Sequence, residues 1–176
     1  MSQPLTPKFL TRDHAVLVVD HVFRTVLFDE GGMSMFMRRK QGHMVILVPS
    51  MDDVREAVYP NWPDYPIRPH LLYERSAGEK DDWEYPFDEI ARCNALQLWQ
   101  GRNIDGQTDS NAHLLFPNDT PYWGGVNRHG LVVAFSGEKP WIDQMLAGMV
   151  ADMLKAIGRD SFETSDDKAD GLSFLA

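Results

Sequence analysis

The sequence predicts a single α/β domain of the α+β kind, an antiparallel sheet covered by helices. Three observations predict it. Apolar residues recur at helical spacing over 15–26, 90–99 and 141–157. Five short apolar runs, 33–37, 43–48, 113–116, 122–126 and 131–135, read as strands. The turns within each group are short, so neighbouring strands are antiparallel. With 176 residues, 43% hydrophobic and 24% charged, the chain has the size and balance of one domain with its own core.

Thr11 reads as the N-cap of the first helix, with Asp13 in its first turn and Gly31-Gly32 as its stop. The helix is therefore expected over 12–30, and Ala15, Val18, Val19, Val22, Phe23 and Val26 give it one buried face. Runs 33–37 and 43–48 flank Arg38-Arg39-Lys40-Gln41-Gly42, a hairpin signal in which Gly42 takes the positive-φ position. Pro60, Pro63, Pro66 and Pro69 fall every third residue among Trp62, Tyr65 and Ile67. That is the polyproline II period, so this stretch reads as an extended arm or lid. A short helix over 52–59 precedes it, and a polar loop over 76–83 follows. Pro86 opens a second helix, with Asp88 and Glu89 at its positive end and Gly101 at its stop. Three strands follow, the last two joined by the turn Asn127-Arg128-His129-Gly130. Pro140 launches the third helix, whose apolar stripe runs from Trp141 to Ile157 before Gly158 stops it. Residues 159–176 read as a loose acidic tail.

The 17 Lys and Arg against 26 Asp and Glu leave a net charge of −9. Nucleic acid and acidic membrane surfaces are therefore poor partners, because phosphate neutralisation needs a cationic face. The single cysteine, Cys93, excludes a disulfide within the chain. Residues 1–10 lack the apolar stretch of a signal peptide, and no apolar run is of membrane-spanning length. The expected setting is the cytoplasm.

Several residues carry possible chemistry. His43, beside three cations at a turn, reads as a proton-transfer group or as an exposed turn histidine. Arg39 and Lys40 read as holders of a carboxylate or as a solvated hairpin tip. Ser136 reads as the cap of the third helix, where free N–H groups attract anions. Glu138 and Asp143, near that helix start, can act as base or acid if buried. Tyr122 and Trp123 beside Gly124-Gly125 can line a pocket for a flat ligand, since glycine allows close approach, or stand as ordinary sheet aromatics. No His-Glu-x-x-His occurs, so no metal ligands are assigned.

Four of these segments form an ordered set: Gly42-His43, Ile90-Ala91-x-x-Asn94-Ala95, Gly124-Gly125-Val126, and Ser136-Gly137-Glu138-Lys139-Pro140 with Asp143 three residues on. The set resembles the HbpS/GlcG-like haem-binding family, which includes the C-terminal domain of PduO-type proteins. The resemblance covers 11–48 and 86–158. It implies a profilin-like fold, with a five-stranded antiparallel sheet between helices in three layers, and a homo-oligomer. It also implies a domain over 1–158 with an insertion at 50–85, and haem as the ligand. The family's turn acid is replaced by the bases of Arg39-Lys40, its helical Lys by Asn94, and its second Gly after the serine by Glu138. Such changes point to a kept scaffold with an altered ligand site.

The expected function is binding of a small, flat, anionic molecule: haem by the resemblance, an aromatic or oxo acid by the cationic turn and the aromatics. Arg39 and Lys40 would hold the acid group. Asn94, Ser136 and the Tyr122-Trp123-Gly124-Gly125 segment would complete the site. The alternative is an isomerase or lyase on such an acid, with His43 or Glu138 moving the proton.

Overall fold

The computed structural model describes residues 4–29, 36–51, 67–103 and 111–171. Helix α1 spans Arg12–Val22 and starts as its sequence predicts. The Thr11 hydroxyl accepts from the His14 N–H at 3.3 Å, and the His14 ring reaches back to the Thr11 N–H. The chain then widens into a π-helical turn, Phe23–Leu27, closed by the Phe28 N–H on the Phe23 carbonyl at 2.8 Å. The helical run ends there, short of residue 30.

Strands β1 (Gly42–Ser50), β2 (Arg68–Ala77), β3 (Gly125–Arg128) and β4 (Leu131–Ser136) form one antiparallel sheet in the order β2-β1-β4-β3. Helix α2 spans Phe87–Trp99, α3 spans Pro140–Glu163 and α4 is the single turn Asp166–Ala169. The central strands β1 and β4 are buried on both faces. Met44, Ile46, Val48, Val133 and Phe135 meet α1 and α3 on one side. Val45, Leu47, Val132 and Ala134 meet Ala91, Ala95 and Leu98 of α2 on the other. This alternation is why β1 and β4 read as continuous apolar runs. Helix α2 lies over β1 and β4 and barely reaches β2, so Leu71 stays 46% exposed.

The β1–β2 register contains a bulge. Ile46 pairs with Tyr73 and Leu47 with Leu71, so Leu72 is the extra residue. Leu72 is buried and Tyr73 partly buried against the α1 side, while Leu71 and Glu74 both face the α2 side.

Five expectations need correction. First, the partner of β1 is β2, not 33–37. Residues 33–35 lie outside the described residues, and Phe36–Lys40 is a turn whose N–H groups are taken by a side chain, described below. Second, 68–77 is a strand, where an arm end and a loop were expected. As an edge strand it tolerates Pro69, and its bulge disrupts the alternation that would reveal it. Third, 113–116 is no strand. Ala112–Leu114 is a 3-10 turn, and the Phe116 N–H goes to the Asp119 carboxylate at 2.7 Å. The sheet therefore has four strands among the described residues. Fourth, β3 begins at Gly125, so Tyr122 and Trp123 precede the strand. Fifth, α3 runs through Gly158 to Glu163. Gly158 lies against the Phe9 carbonyl, and Phe9 packs edge-on to Phe162 at 5.4 Å, so the N-terminal segment supports the extra turn. The expected helix at 52–59 and the prolines through Pro66 lie outside the described residues. No helix among the described residues is long and apolar enough to cross a membrane.

Candidate functional site

Two loops cross backbone on backbone at one end of the sheet. A Cβ on Gly42 would stand 2.3 Å from the Ser136 carbonyl oxygen, and one on Gly137 would stand 2.0 Å from that of Gln41. Gly42 also has φ +148, a conformation that disfavours side chains. The crossing brings Glu138 under the 38–40 turn. Its carboxylate accepts from the backbone N–H groups of Arg38, Arg39 and Lys40 at 2.9, 2.8 and 2.8 Å. Lys40, at φ 53, completes the turn.

The Glu138 N–H in turn donates to Asp143 Oδ1 at 2.8 Å. Asp143 lies in the first turn of α3, where the helix dipole favours a carboxylate. It is nevertheless 5% exposed, and that burial pushes its carboxyl well above its ordinary value of 3.8. Gly124 makes the arrangement fit, because a Cβ there would stand 2.7 Å from Asp143 Cβ. Gly125 does the same for α2, with Leu98 Cδ1 2.6 Å from where its Cβ would be. Both glycines therefore serve close packing.

A cleft of about 280 Å³ opens over this framework. Tyr85 and Phe87 wall it from the start of α2, and Tyr122 and Trp123 from the segment before β3. Ser136, Glu138 and Asp143 line its base, and Arg39 and Lys139 bring positive charge. One Arg39 nitrogen lies 3.5 and 3.4 Å from the carbonyls of Gly137 and Glu138, and the other pairs with Glu84 at 3.3 Å. The Lys139 ammonium sits over the Trp141 ring at 5.1 Å.

Of the residues singled out in the sequence, the structure thus gathers Arg39, Tyr122, Trp123, Ser136 and Glu138 around one cleft. Lys40 is not among its lining residues. Asn94 is 1% exposed on α2, away from the lining, and its Oδ1 has no partner among the described residues. His43 faces the other flank of α2, where it is 3% exposed and bonded to Ser76 and Glu74. Burial lowers its pKa, and the Glu74 carboxylate pulls against that. Tyr85, Phe87 and Lys139 were missed. The visible signal for the first two was Tyr85-Pro86-Phe87, aromatics on either side of a helix-opening proline. Among the described residues no three His, Cys, Asp or Glu side chains are grouped to hold a metal ion. No family model, curated protein or solved structure matches the chain.

Proposed function

We propose that the chain binds a small, flat carboxylic acid, aromatic or oxo, in the cleft over α3. The carrying observation is one cleft that joins two cations, Arg39 and Lys139, to four aromatic walls. A planar acid stacks on such walls, and the Arg39 fork suits its carboxylate. Glu84, with its side chain 58% exposed, is a weakly held partner for Arg39. A ligand carboxylate replaces it at little cost.

Haem, the ligand implied by the resemblance, is the larger candidate. The smaller acid is favoured because no His, Cys or Met is among the described residues lining the cleft, which leaves Tyr85 and Tyr122 alone among the usual haem-iron ligands. The family relationship and the profilin-like fold belong to the same reading. They rest on helices covering both faces of an antiparallel sheet and on the Gly42–Gly137 crossing, with four strands described where five are implied. A homo-oligomer belongs to it too. Leu17 and Trp141, 62% and 56% exposed, are large apolar side chains that a partner copy would cover. Light scattering of the purified chain decides that point. A cytoplasmic setting is part of the reading, on the lone cysteine.

The test is a calorimetric titration with aromatic carboxylates, beside haemin followed by its Soret band. Saturable carboxylate binding, weakened about tenfold or more by Arg39→Ala, is expected. Equal binding of the uncharged amide analogues would overturn the reading. A saturable Soret shift would return it to haem.

One observation favours the alternative, an isomerase or lyase on the same acid. Asp143 presents to the cleft a buried carboxyl whose pKa is raised by that burial, the direction that suits a proton donor. Both Glu138 oxygens are occupied by backbone N–H groups, and His43 lies outside the lining. Turnover lost in Asp143→Asn with binding retained would establish that reading.

A further inference from the structure

Beyond the cleft, on the opposite flank of α2, the bare face of β2 forms a second recess. It is an apolar trough of about 250 Å³, with Val45 and Leu47 in its floor and Pro69, Leu71 and Leu96 along its sides. Glu74 and Arg92 close one end. Ser76 stands two residues further along the same face of β2, about 7 Å beyond Glu74.

Three side chains are in line there. Ser76 Oγ is 3.0 Å from His43 Nδ1, and His43 Nε2 is 3.2 Å from Glu74 Oε2. A carboxylate only accepts, so Nε2 carries the ring proton and Nδ1 offers its lone pair to the Ser76 hydroxyl. Arg92 grips Glu74 with two bonds, Nε to Oε2 at 2.9 Å and a terminal nitrogen to Oε1 at 3.0 Å. That grip lowers the Glu74 pKa and favours its anion, while burial lowers the His43 pKa and favours the neutral imidazole. The hydroxyl, the base and the group that orients the base are thus in order. The Trp83 ring lies edge-on to His43 at 6.4 Å. Its Nε1–H is buried with no partner among the described residues, a donor left over beside the base.

We propose that Ser76, His43 and Glu74 form an acyl-transfer site for esters of medium-length apolar carboxylic acids, whose acyl chain spans the roughly 7 Å past Glu74 to lie in the trough. Ser76 Oγ attacks the ester carbonyl carbon as its proton passes to His43 Nδ1. The carbon–alkoxide bond breaks, and the alkoxide leaves as an alcohol with that proton. Water then attacks the acyl-serine, giving its proton through His43 to Ser76 Oγ and releasing the carboxylic acid. Glu74 is a positioning residue that holds the imidazole tautomer.

The experiment treats the full chain with a fluorophosphonate, locates the label by peptide mass, and follows nitrophenyl octanoate hydrolysis. Labelling of Ser76 and a nitrophenolate burst of about one equivalent are expected. Ser76→Ala should lose the label and at least about a hundredfold in rate, with an unchanged thermal melt. Glu74→Gln should move the acid limb of the pH–rate profile to lower pH, because Glu74 raises the His43 pKa. A wild-type chain that stays unlabelled, a label on another residue, or undiminished hydrolysis by Ser76→Ala would each overturn the proposal. These outcomes do not depend on carboxylate binding in the cleft.

Discussion

Glu138 and Glu74 sit at the same end of the sheet, one just past β4 and the other on β2, and they are held in opposite ways. Glu138 is met by three backbone N–H groups that the fold itself fixes. Glu74 is met by an arginine and a histidine side chain. Backbone donors cost no side-chain ordering and never titrate, so an acid held by them acts as a structural bolt. Side-chain partners titrate and can be exchanged, so an acid held by them can take part in chemistry. Asp143 and Glu74 carry the same contrast into their pKa values. Asp143 is raised by burial, and Glu74 is lowered chiefly by Arg92.

The contrast breaks first at Glu138. Glu138→Ala orphans three N–H groups, some of which regain water, and should cost about 3 kcal/mol in urea unfolding. Glu138→Gln keeps one carbonyl acceptor and should recover part of that. A cost under about 1 kcal/mol for the alanine variant would mean that the bolt is not structural.

A smaller effect is expected on the other side. Arg92 is a 44% exposed partner, so Arg92→Ala should cost no more than about 1 kcal/mol. The same change should raise the His43 pKa, because the guanidinium charge pushes it down. NMR titration of the His43 ring protons reads that shift. A large stability loss without it would make Glu74 a bolt as well.

A third effect is a slope with pH. The folded chain holds the Asp143 proton more tightly than the unfolded chain, whose carboxyl titrates near 3.8. Stability should therefore fall as pH rises from there through the raised folded value. Asp143→Asn keeps an acceptor for the Glu138 N–H and should flatten that decline. His43 tilts the other way. Its folded pKa lies below 6.5, so stability should fall as pH drops from 6.5 toward the folded value. Thermal melts of both chains across this range separate the two slopes.

Much of the framework was legible in the sequence, for local reasons. Thr11 at the head of α1, Pro140 at the head of α3 and the buried stripes of all three long helices depend on neighbours within a turn or two. A turn at 38–42 was legible, but its anchoring was not, because the acceptor of its N–H groups lies about a hundred residues away in Glu138. Strand β2 was hidden by its exposure at the sheet edge and by its bulge. The cleft was half visible. Arg39, Tyr122, Trp123, Ser136 and Glu138 stood out at turns and helix starts, whereas Lys139 gained meaning only beside them. Ser76, Glu74 and Arg92 carry no local signature, since only strand pairing brings them to His43.

Leu72 holds a further consequence. Along β2, Pro69 and Leu71 share a face with Glu74 and Ser76, odd numbers with even, because one residue is inserted between the pairs. Strand parity thus changes partway along one strand. Deleting Leu72 would pair Leu71 and Tyr73 with successive residues of β1 and leave the trough and the serine–histidine line on one surface. What the deletion would remove is the second side chain, Leu72, that the strand sends toward α1. A single codon therefore sets how much of this edge is anchored underneath, and not which surface carries its chemistry.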